Sequence, residues 1–130
     1  MKIHESAENY LETILVLKQR NGNVRAIDIA NELEFSKPSV SVAMKNLRAN
    51  GYIQVDDSGS INLLPAGQQI AQEIYEKHQL LTRYLVNLGV PEEIAAEDAC
   101  RIEHVLSKES FEALKSHAAQ YANVSLKEDM

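Results

Sequence analysis

The chain has 130 residues, of which 45% are hydrophobic, and a formal net charge of −6 at pH 7. This length and composition allow a buried core in one domain or two small lobes, and they exclude a wholly disordered chain. The sequence contains no apolar run of membrane-spanning length, no secretory signal and a single cysteine, which cannot form an internal disulfide. We therefore expect a cytoplasmic protein without a membrane partner.

The charge is unevenly divided along the chain. Positions 18–54 carry six Lys or Arg and three acids, whereas positions 55–130 carry six basic residues and thirteen acids. A basic segment in an acidic protein is compatible with one DNA-facing surface, because phosphate contacts contribute much of the affinity for DNA. The acidic remainder is suited to binding cations.

An apolar stripe near the start of the chain predicts the first helix. Its members recur at helical spacing and are Tyr10, Leu11, Ile14, Leu15 and Leu17. Glu12 interrupts this stripe and places a carboxylate beside a buried face. Glu12 is therefore a candidate metal ligand, and a solvated edge of the helix is the alternative.

Residues 25–51 predict two short helices joined by a tight turn. The predicted core faces consist of Ile27, Ala30, Leu33, Val40, Ala43, Met44 and Leu47. Ser36 can cap the second helix, Pro38 is tolerated in its first turn, and Gly51 can end it. This pattern is typical of a helix-turn-helix.

The second of these helices is predicted to expose small and polar side chains. No acid occurs from Ser36 to Gly51, and short hydroxyls with a Lys can contact phosphates and base edges in a major groove. The candidate DNA contacts are Ser36, Lys37, Pro38, Ser39, Ser41, Val42 and Lys45. A helical pair that serves only as scaffold is the alternative.

Two short alternating runs, 52–55 and 60–64, flank a turn that contains Gly59 and predict a β-hairpin. A hairpin directly after a DNA-reading helix is the wing of a winged helix. A long helix then runs from Pro65 to about Leu88 and ends before Gly89 and Pro91. Its apolar stripe contains His78, which is either a metal ligand or a hydrogen-bonded core histidine.

The next predicted helix carries the most informative residues of the chain. At 3.6 residues per turn, Cys100, Glu103 and His104 fall on one helical face within a single turn. A thiolate, a carboxylate and an imidazole are suitable donors for a first-row transition metal, and His78 and Glu12 are candidates for the remaining positions. Charged pairs that support the helix are the alternative explanation of this spacing.

The end of the chain predicts one more helix. Residues 107–109 form its predicted cap, and the helix extends from about Phe111 to Tyr121. The polar tail at 123–130 is predicted to fray.

These motifs together resemble the diphtheria toxin repressor family of metal-dependent transcription regulators, including its manganese transport regulator branch. The resemblance covers nearly the whole chain and depends most on four segments: 8–12, 36–41, 75–81 and 98–107. It implies a mainly α fold, with a winged helix-turn-helix DNA-binding domain at 1–66 and an all-helical metal-binding and dimerisation domain at 67–130. Family members bind Fe(II) or Mn(II), form homodimers through the C-terminal helices, and bind palindromic operators of metal-uptake genes.

Residue by residue, the resemblance implies metal ligands at Glu12, His78, Cys100, Glu103 and His104. Position 9 departs from the family, because iron-type members have Met and manganese-type members have Asp where this chain has Asn9, a weaker donor. Ala96 and Thr82 replace ligands of an accessory site in the iron type. Val42 stands where the iron type has a base-reading Gln.

Ligand chemistry favours Fe(II) as the cofactor, because a thiolate at position 100 is softer than the Glu of manganese-type members. Mn(II) is the alternative, and Co(II), Ni(II) or Zn(II) are possible surrogates in vitro. Two other functions stay open at this point. One is a winged-helix regulator that responds to a non-metal ligand, and the other is a small metalloenzyme with Glu103 or His104 as base.

Overall fold

The structure, a computed structural model, describes residues 5–120, with side chains from residue 6 onward. Its elements in chain order are α1 (Glu5–Asn21), α2 (Ala26–Leu33), α3 (Lys37–Ala49), β1 (Ile53–Val55), β2 (Ile61–Leu63), α4 (Pro65–Asn87), α5 (Glu92–Ile102) and α6 (Lys108–Gln120). The chain divides into two compact units at Glu73 and Ile74, within α4. The predicted mainly α fold is confirmed, whereas the predicted tail at 123–130 lies outside the described residues.

The core of the first unit is built on α1. Every member of its predicted apolar stripe is buried, as are side chains from α2, α3 and the hairpin: Val24, Ile29, Val40, Met44, Leu47, Ile53 and Ile61. Tyr10 also contacts Phe35 edge-to-face, with ring centroids 5.9 Å apart. The prediction of α1 from its apolar spacing is therefore confirmed.

The helix-turn-helix forms by local interactions that the sequence predicted. Ser36 is the N-cap of α3, and its hydroxyl oxygen accepts a hydrogen bond from the Ser39 amide at 3.3 Å. Pro38 occupies the first turn of α3, where no backbone donor is needed. Glu34 closes α2 with a left-handed φ of 57°.

One predicted core position of α2 is wrong. Ile27 is 40% exposed, whereas Ile29 is fully buried. Two positions apart on a helix correspond to a rotation of about 200°, so only one of the two isoleucines can point into the core. In a helix of eight residues the apolar pattern is too short to fix which one it is.

The hairpin is a two-stranded antiparallel sheet in which Ile53 pairs with Leu63, and Val55 pairs with Ile61. The amide of Ile61 also donates to the Val24 carbonyl at 2.7 Å, which ties β2 to the segment before α2. The ammonium of Lys18 on α1 donates to the carbonyl of Ile61 and to the side chain of Asn62. These bonds hold the wing against its own domain.

The second unit packs α6 against α4. Leu80, Phe111 and Ala118 form its core cluster, with Tyr84 and Leu106 packed against them. The hydroxyl of Ser107 accepts a hydrogen bond from the Ser110 amide at 3.1 Å, which confirms the predicted cap of α6.

Two lysines lie over the Phe111 ring, with Lys77 Nζ 5.8 Å and Lys115 Nζ 6.0 Å from its centroid. Lys115 also donates to Glu76 at 2.9 Å, and this hydrogen bond raises its pKa. The alkyl chains of both lysines thus lie against the apolar cluster, while their ammonium groups have polar partners: Glu76 for Lys115 and the Leu106 carbonyl for Lys77. Among the helices within residues 5–120, none is long and apolar enough to cross a membrane.

Candidate metal centre and DNA-facing surface

Helix α5 places a carboxylate where a core side chain would stand. Ala95 and Ala99 are fully buried, and Glu103 follows them at the same four-residue interval with 0% exposure. The two alanines are small enough for a closely packed helix face. Because burying a carboxylate is costly unless it is paired, packing alone would select an apolar residue at position 103.

The end of α5 differs from the sequence prediction, which placed Cys100, Glu103, His104 and Leu106 on one helix that ran to the cap at 107–109. The helix ends at Ile102, and Glu103 is its C-cap with φ −58° and ψ −29°. The Glu103 amide still donates to the Ala99 carbonyl at 2.9 Å, so the helical turn is preserved up to this residue. Cys100, Glu103 and His104 consequently converge, with one donor atom of each within 4.8 Å of the others.

The Glu103 carboxylate lies between two imidazoles. Its Oε1 is 2.9 Å from His78 Nδ1, and its Oε2 is 3.4 Å from His104 Nε2. The side chain of His104 is 3% exposed and that of His78 is 28% exposed. His78 of α4 therefore joins the residues of α5 through Glu103, and we call Cys100, Glu103, His104 and His78 the donor cluster.

The donor cluster fits a divalent transition metal by its chemistry. Sulfur, carboxylate oxygen and imidazole nitrogen are all ligands of such ions. Donor atoms of Cys100, Glu103 and His104 approach one another, and His78 contacts Glu103. The cluster also lies at the C-terminal end of α5, where the exposed carbonyl ends carry a partial negative charge. That charge favours a cation.

The two other predicted ligands, Glu12 and Asn9, lie on α1 in the first unit. Glu12 and Thr13 of α1 are buried polar residues, as Glu103 is in the second unit. Thr13 donates to the Asn9 carbonyl at 2.8 Å, which accounts for its burial. Glu12 shares with Glu103 the unusual combination of a carboxylate and a buried position.

All seven predicted DNA contacts are exposed on α3 or at its cap. Among the large hydrophobic side chains of residues 6–73, Val42 is the most exposed, at 60%. Ser41, Val42 and Lys45 border a groove of about 430 Å³ between α3 and the hairpin. The surface predicted to face DNA is thus accessible.

The same groove contains residues that sequence reasoning missed. Arg48 of α3 and Val55 of β1 also line it. Arg48 lies at i+7 from Ser41 and i+3 from Lys45, so the helical period alone could have identified it. Val55 could not have been found in this way, because its position depends on how the hairpin packs.

The tip of the hairpin is acidic. The carboxylate of Asp56 accepts hydrogen bonds from the Ser58 hydroxyl at 2.7 Å and from the Ser58 and Ser60 amides at 2.9 Å. These hydrogen bonds, led by that of the Ser58 hydroxyl, hold the pKa of Asp56 below its usual value. Asp56 thus closes the turn, as aspartate commonly does by bonding to nearby backbone amides.

Comparison with protein families accounts for both halves of the chain. Residues 2–60 match the family described as "Iron dependent repressor, N-terminal DNA binding domain", and residues 64–122 match "Iron dependent repressor, metal binding and dimerisation domain". The transcriptional regulator MntR of Salmonella typhimurium is 36% identical over 117 residues, which cover 90% of this chain and 74% of that protein. The chain belongs to the iron-dependent repressor family. The predicted resemblance and the winged-helix architecture are confirmed, and the relatives are transcriptional regulators rather than enzymes.

Solved structures share this fold. The manganese regulator SloR matches with a TM-score of 0.77 and 28% identity, covering 92% of this chain and 55% of that one. IdeR of T. acidophilum has the same TM-score at 24% identity, covers 94% of this chain and shows the fold alone. The chain spans about half the length of these solved chains.

Proposed function

We propose that this member of the iron-dependent repressor family is a transcriptional repressor of metal-ion homeostasis genes, activated for operator binding by Fe(II). The observation that carries the proposal is the buried Glu103 carboxylate, 2.9 Å from His78 and 3.4 Å from His104, with the Cys100 sulfur in the same cluster. A buried anion surrounded by further donors is a costly arrangement that cation binding explains.

In this proposal, Cys100, Glu103, His104 and His78 hold the metal in the helical domain, and Glu12 and Asn9 contribute donors from α1. A bound divalent cation supplies coordinate bonds that hold these donors together and offset the charge of Glu103. Because α1 belongs to the DNA-binding domain, ligation by Glu12 would limit the orientational freedom of that domain. The family resemblance and the burial of Glu12 support its participation.

The choice between Fe(II) and Mn(II) depends on Cys100. A thiolate is a softer ligand than a carboxylate and favours Fe(II) over Mn(II). Mn(II) is the second candidate, because two structural neighbours at 28% and 29% identity are named as a manganese regulator and a manganese-activated repressor. Co(II), Ni(II) and Zn(II) are expected to act as surrogates in vitro.

The proposed partners are double-stranded palindromic operator DNA and a second copy of the chain. The family description of residues 64–122 includes dimerisation, and we propose that the C-terminal helices form the homodimer interface. A dimer that reads two half-sites must place its two α3 helices about 34 Å apart, one turn of DNA. Restricting the orientation of each DNA-binding domain would then favour operator binding.

We expect metal removal to weaken operator binding by about 5- to 150-fold, the usual range of coupling between two ligands. Duplexes are first selected from a random-sequence library with Fe(II)-loaded protein under anaerobic conditions. Fluorescence anisotropy then measures the Kd of the selected duplex with Fe(II) and after chelation, for the native protein and for Cys100→Ala. The variant is expected to lose most of the metal response.

Two controls separate the alternatives. Asp98→Ala removes an exposed side chain of α5 outside the donor cluster and should keep the full response. Equal operator binding with and without metal would contradict the proposal and would favour a regulator with a non-metal ligand. Metal uptake with no selected duplex would instead favour the metalloenzyme.

The metal preference gives a second expected result. Native protein should reach half-maximal operator binding at a lower Fe(II) than Mn(II) concentration, by about tenfold or more, since affinity rises from Mn to Fe and the thiolate adds to this trend. Cys100→Glu replaces the soft donor with a hard one and should reduce the ratio of the Mn(II) to the Fe(II) concentration at half-maximal binding. Anaerobic titrations of operator binding with each metal measure this ratio. A ratio unchanged by the substitution would show that Cys100 does not select the metal.

A further inference from the structure

The outward face of α3 has an unusual composition for a helix surface. The helix buries Val40, Met44 and Leu47, which leaves the opposite side exposed. The exposed positions that share one stripe, at i, i+3, i+4 and i+7 spacing, are Pro38, Ser41, Val42 and Lys45. Val42, an apolar and β-branched residue, thus lies at the centre of the stripe. A β-branched side chain lowers helix propensity, and an exposed apolar side chain contributes no hydrophobic stabilisation to the fold.

The hydroxyls nearest to the helix start already have partners in the structure. The Ser36 hydroxyl donates to Ser39 Oγ at 2.8 Å and accepts from the Ser39 amide. Within the stripe, Ser41 and Lys45 remain as hydrogen-bonding side chains. Val42 lies between them and can distinguish bases only by apolar contact.

The surroundings of Val42 suit a base edge flanked by phosphates. Val42 borders the groove of about 430 Å³ together with the apolar side chains of Val55 and Ile61. Lys45 and Arg48 line the same groove and supply positive charge. Cationic side chains position a duplex through its phosphates, whereas an apolar side chain in the major groove can contact the one apolar group there, the thymine 5-methyl.

We propose that Val42 is a specificity-determining residue that recognises the 5-methyl group of a thymine in each operator half-site. This inference rests on the proposed function, since it requires that α3 enters the major groove. Burial of one methyl group between Val42 and the duplex is expected to contribute about a fourfold gain in affinity per half-site.

The test removes the methyl group and nothing else. In a duplex selected from a random library with Fe(II)-loaded protein, each thymine is replaced in turn by deoxyuridine, symmetrically in both half-sites. For the native protein, replacement at one position per half-site should weaken binding by about tenfold or more, because two methyl contacts are lost together. Val42→Ala should bind the thymine and deoxyuridine duplexes with equal affinity. Asn46→Ala, at an exposed position of the same helix outside the stripe, should retain the discrimination.

The outcomes separate this inference from the function on which it rests. Two results would overturn the role of Val42 and leave the proposed repressor function standing. One is metal-dependent binding that no deoxyuridine replacement weakens. The other is a Val42→Ala protein that distinguishes thymine from deoxyuridine as strongly as the native protein. Failure to select any duplex that binds in a metal-dependent way would overturn both. Circular dichroism of Val42→Ala is expected to match the native protein, since the side chain is 60% exposed.

Discussion

Glu103→Gln is expected to lower the affinity for Fe(II) or Mn(II) by at least about a hundredfold, because loss of a ligand exceeds the 10- to 100-fold effect of losing a ligand's supporting group. The substitution keeps the size of the side chain and replaces a charged donor with a neutral amide. Since Glu103 is fully buried and contacts both His78 and His104, no solvent-exposed carboxylate can take over its position without rearrangement. Anaerobic calorimetric titration of the metal into the protein measures the change.

The matched control for this variant is Glu97→Gln, which removes the same charge from an exposed position of α5. It should bind metal with native affinity. Thermal unfolding without metal shows whether Glu103→Gln is folded. A folded Glu103→Gln protein that binds the ion as tightly as the native chain would remove Glu103 from the proposed ligand set.

Gly67→Ala is expected to destabilise the first unit by about 2 kcal/mol, within the usual range for overpacking. A Cβ at position 67 would overlap the Tyr52 carbonyl oxygen and lie 3.1 Å from its carbonyl carbon. That oxygen accepts the Leu64 amide at 3.0 Å and therefore cannot move freely. Because Gly67 is in a helix, helix propensity alone would make the alanine variant more stable by about 1 kcal/mol. The overlap with Tyr52 is expected to reverse this effect and make the variant less stable.

Urea denaturation followed by circular dichroism measures this free energy of unfolding. Gln69→Ala lies in the same turn of α4 at an exposed position and should change stability by less than about 0.5 kcal/mol. A Gly67→Ala protein as stable as the native chain would contradict this prediction. It would mean that the Tyr52 backbone can move away from α4 without lowering the free energy of unfolding.

Local chemistry made much of this fold predictable. Ser36 and Pro38 mark the start of α3 by capping and by the absence of a donor, and both act as expected. The spacing of Cys100, Glu103 and His104 correctly predicted that their donor atoms approach one another. Their role as ligands stays a prediction.

Other features depend on interactions that spacing does not encode. No Gly or Pro follows Cys100 to mark the end of α5 at Ile102. Arg25 precedes α2 and its amide bonds to Asp28 at 2.9 Å, although arginine is not a typical capping residue. The choice of Ile29 over Ile27 for the core was set by tertiary packing.

The negative charge of the hairpin turn closed by Asp56 affects how strongly this part of the protein is attracted to or repelled by DNA. Because hydrogen bonds lower the pKa of Asp56, its carboxylate keeps its negative charge at every pH near neutrality. If α3 enters the major groove as proposed, the phosphodiester strands repel this loop and attract Lys45 and Arg48. Added salt should therefore screen both the repulsion of the loop and the attraction of Lys45 and Arg48 for the duplex.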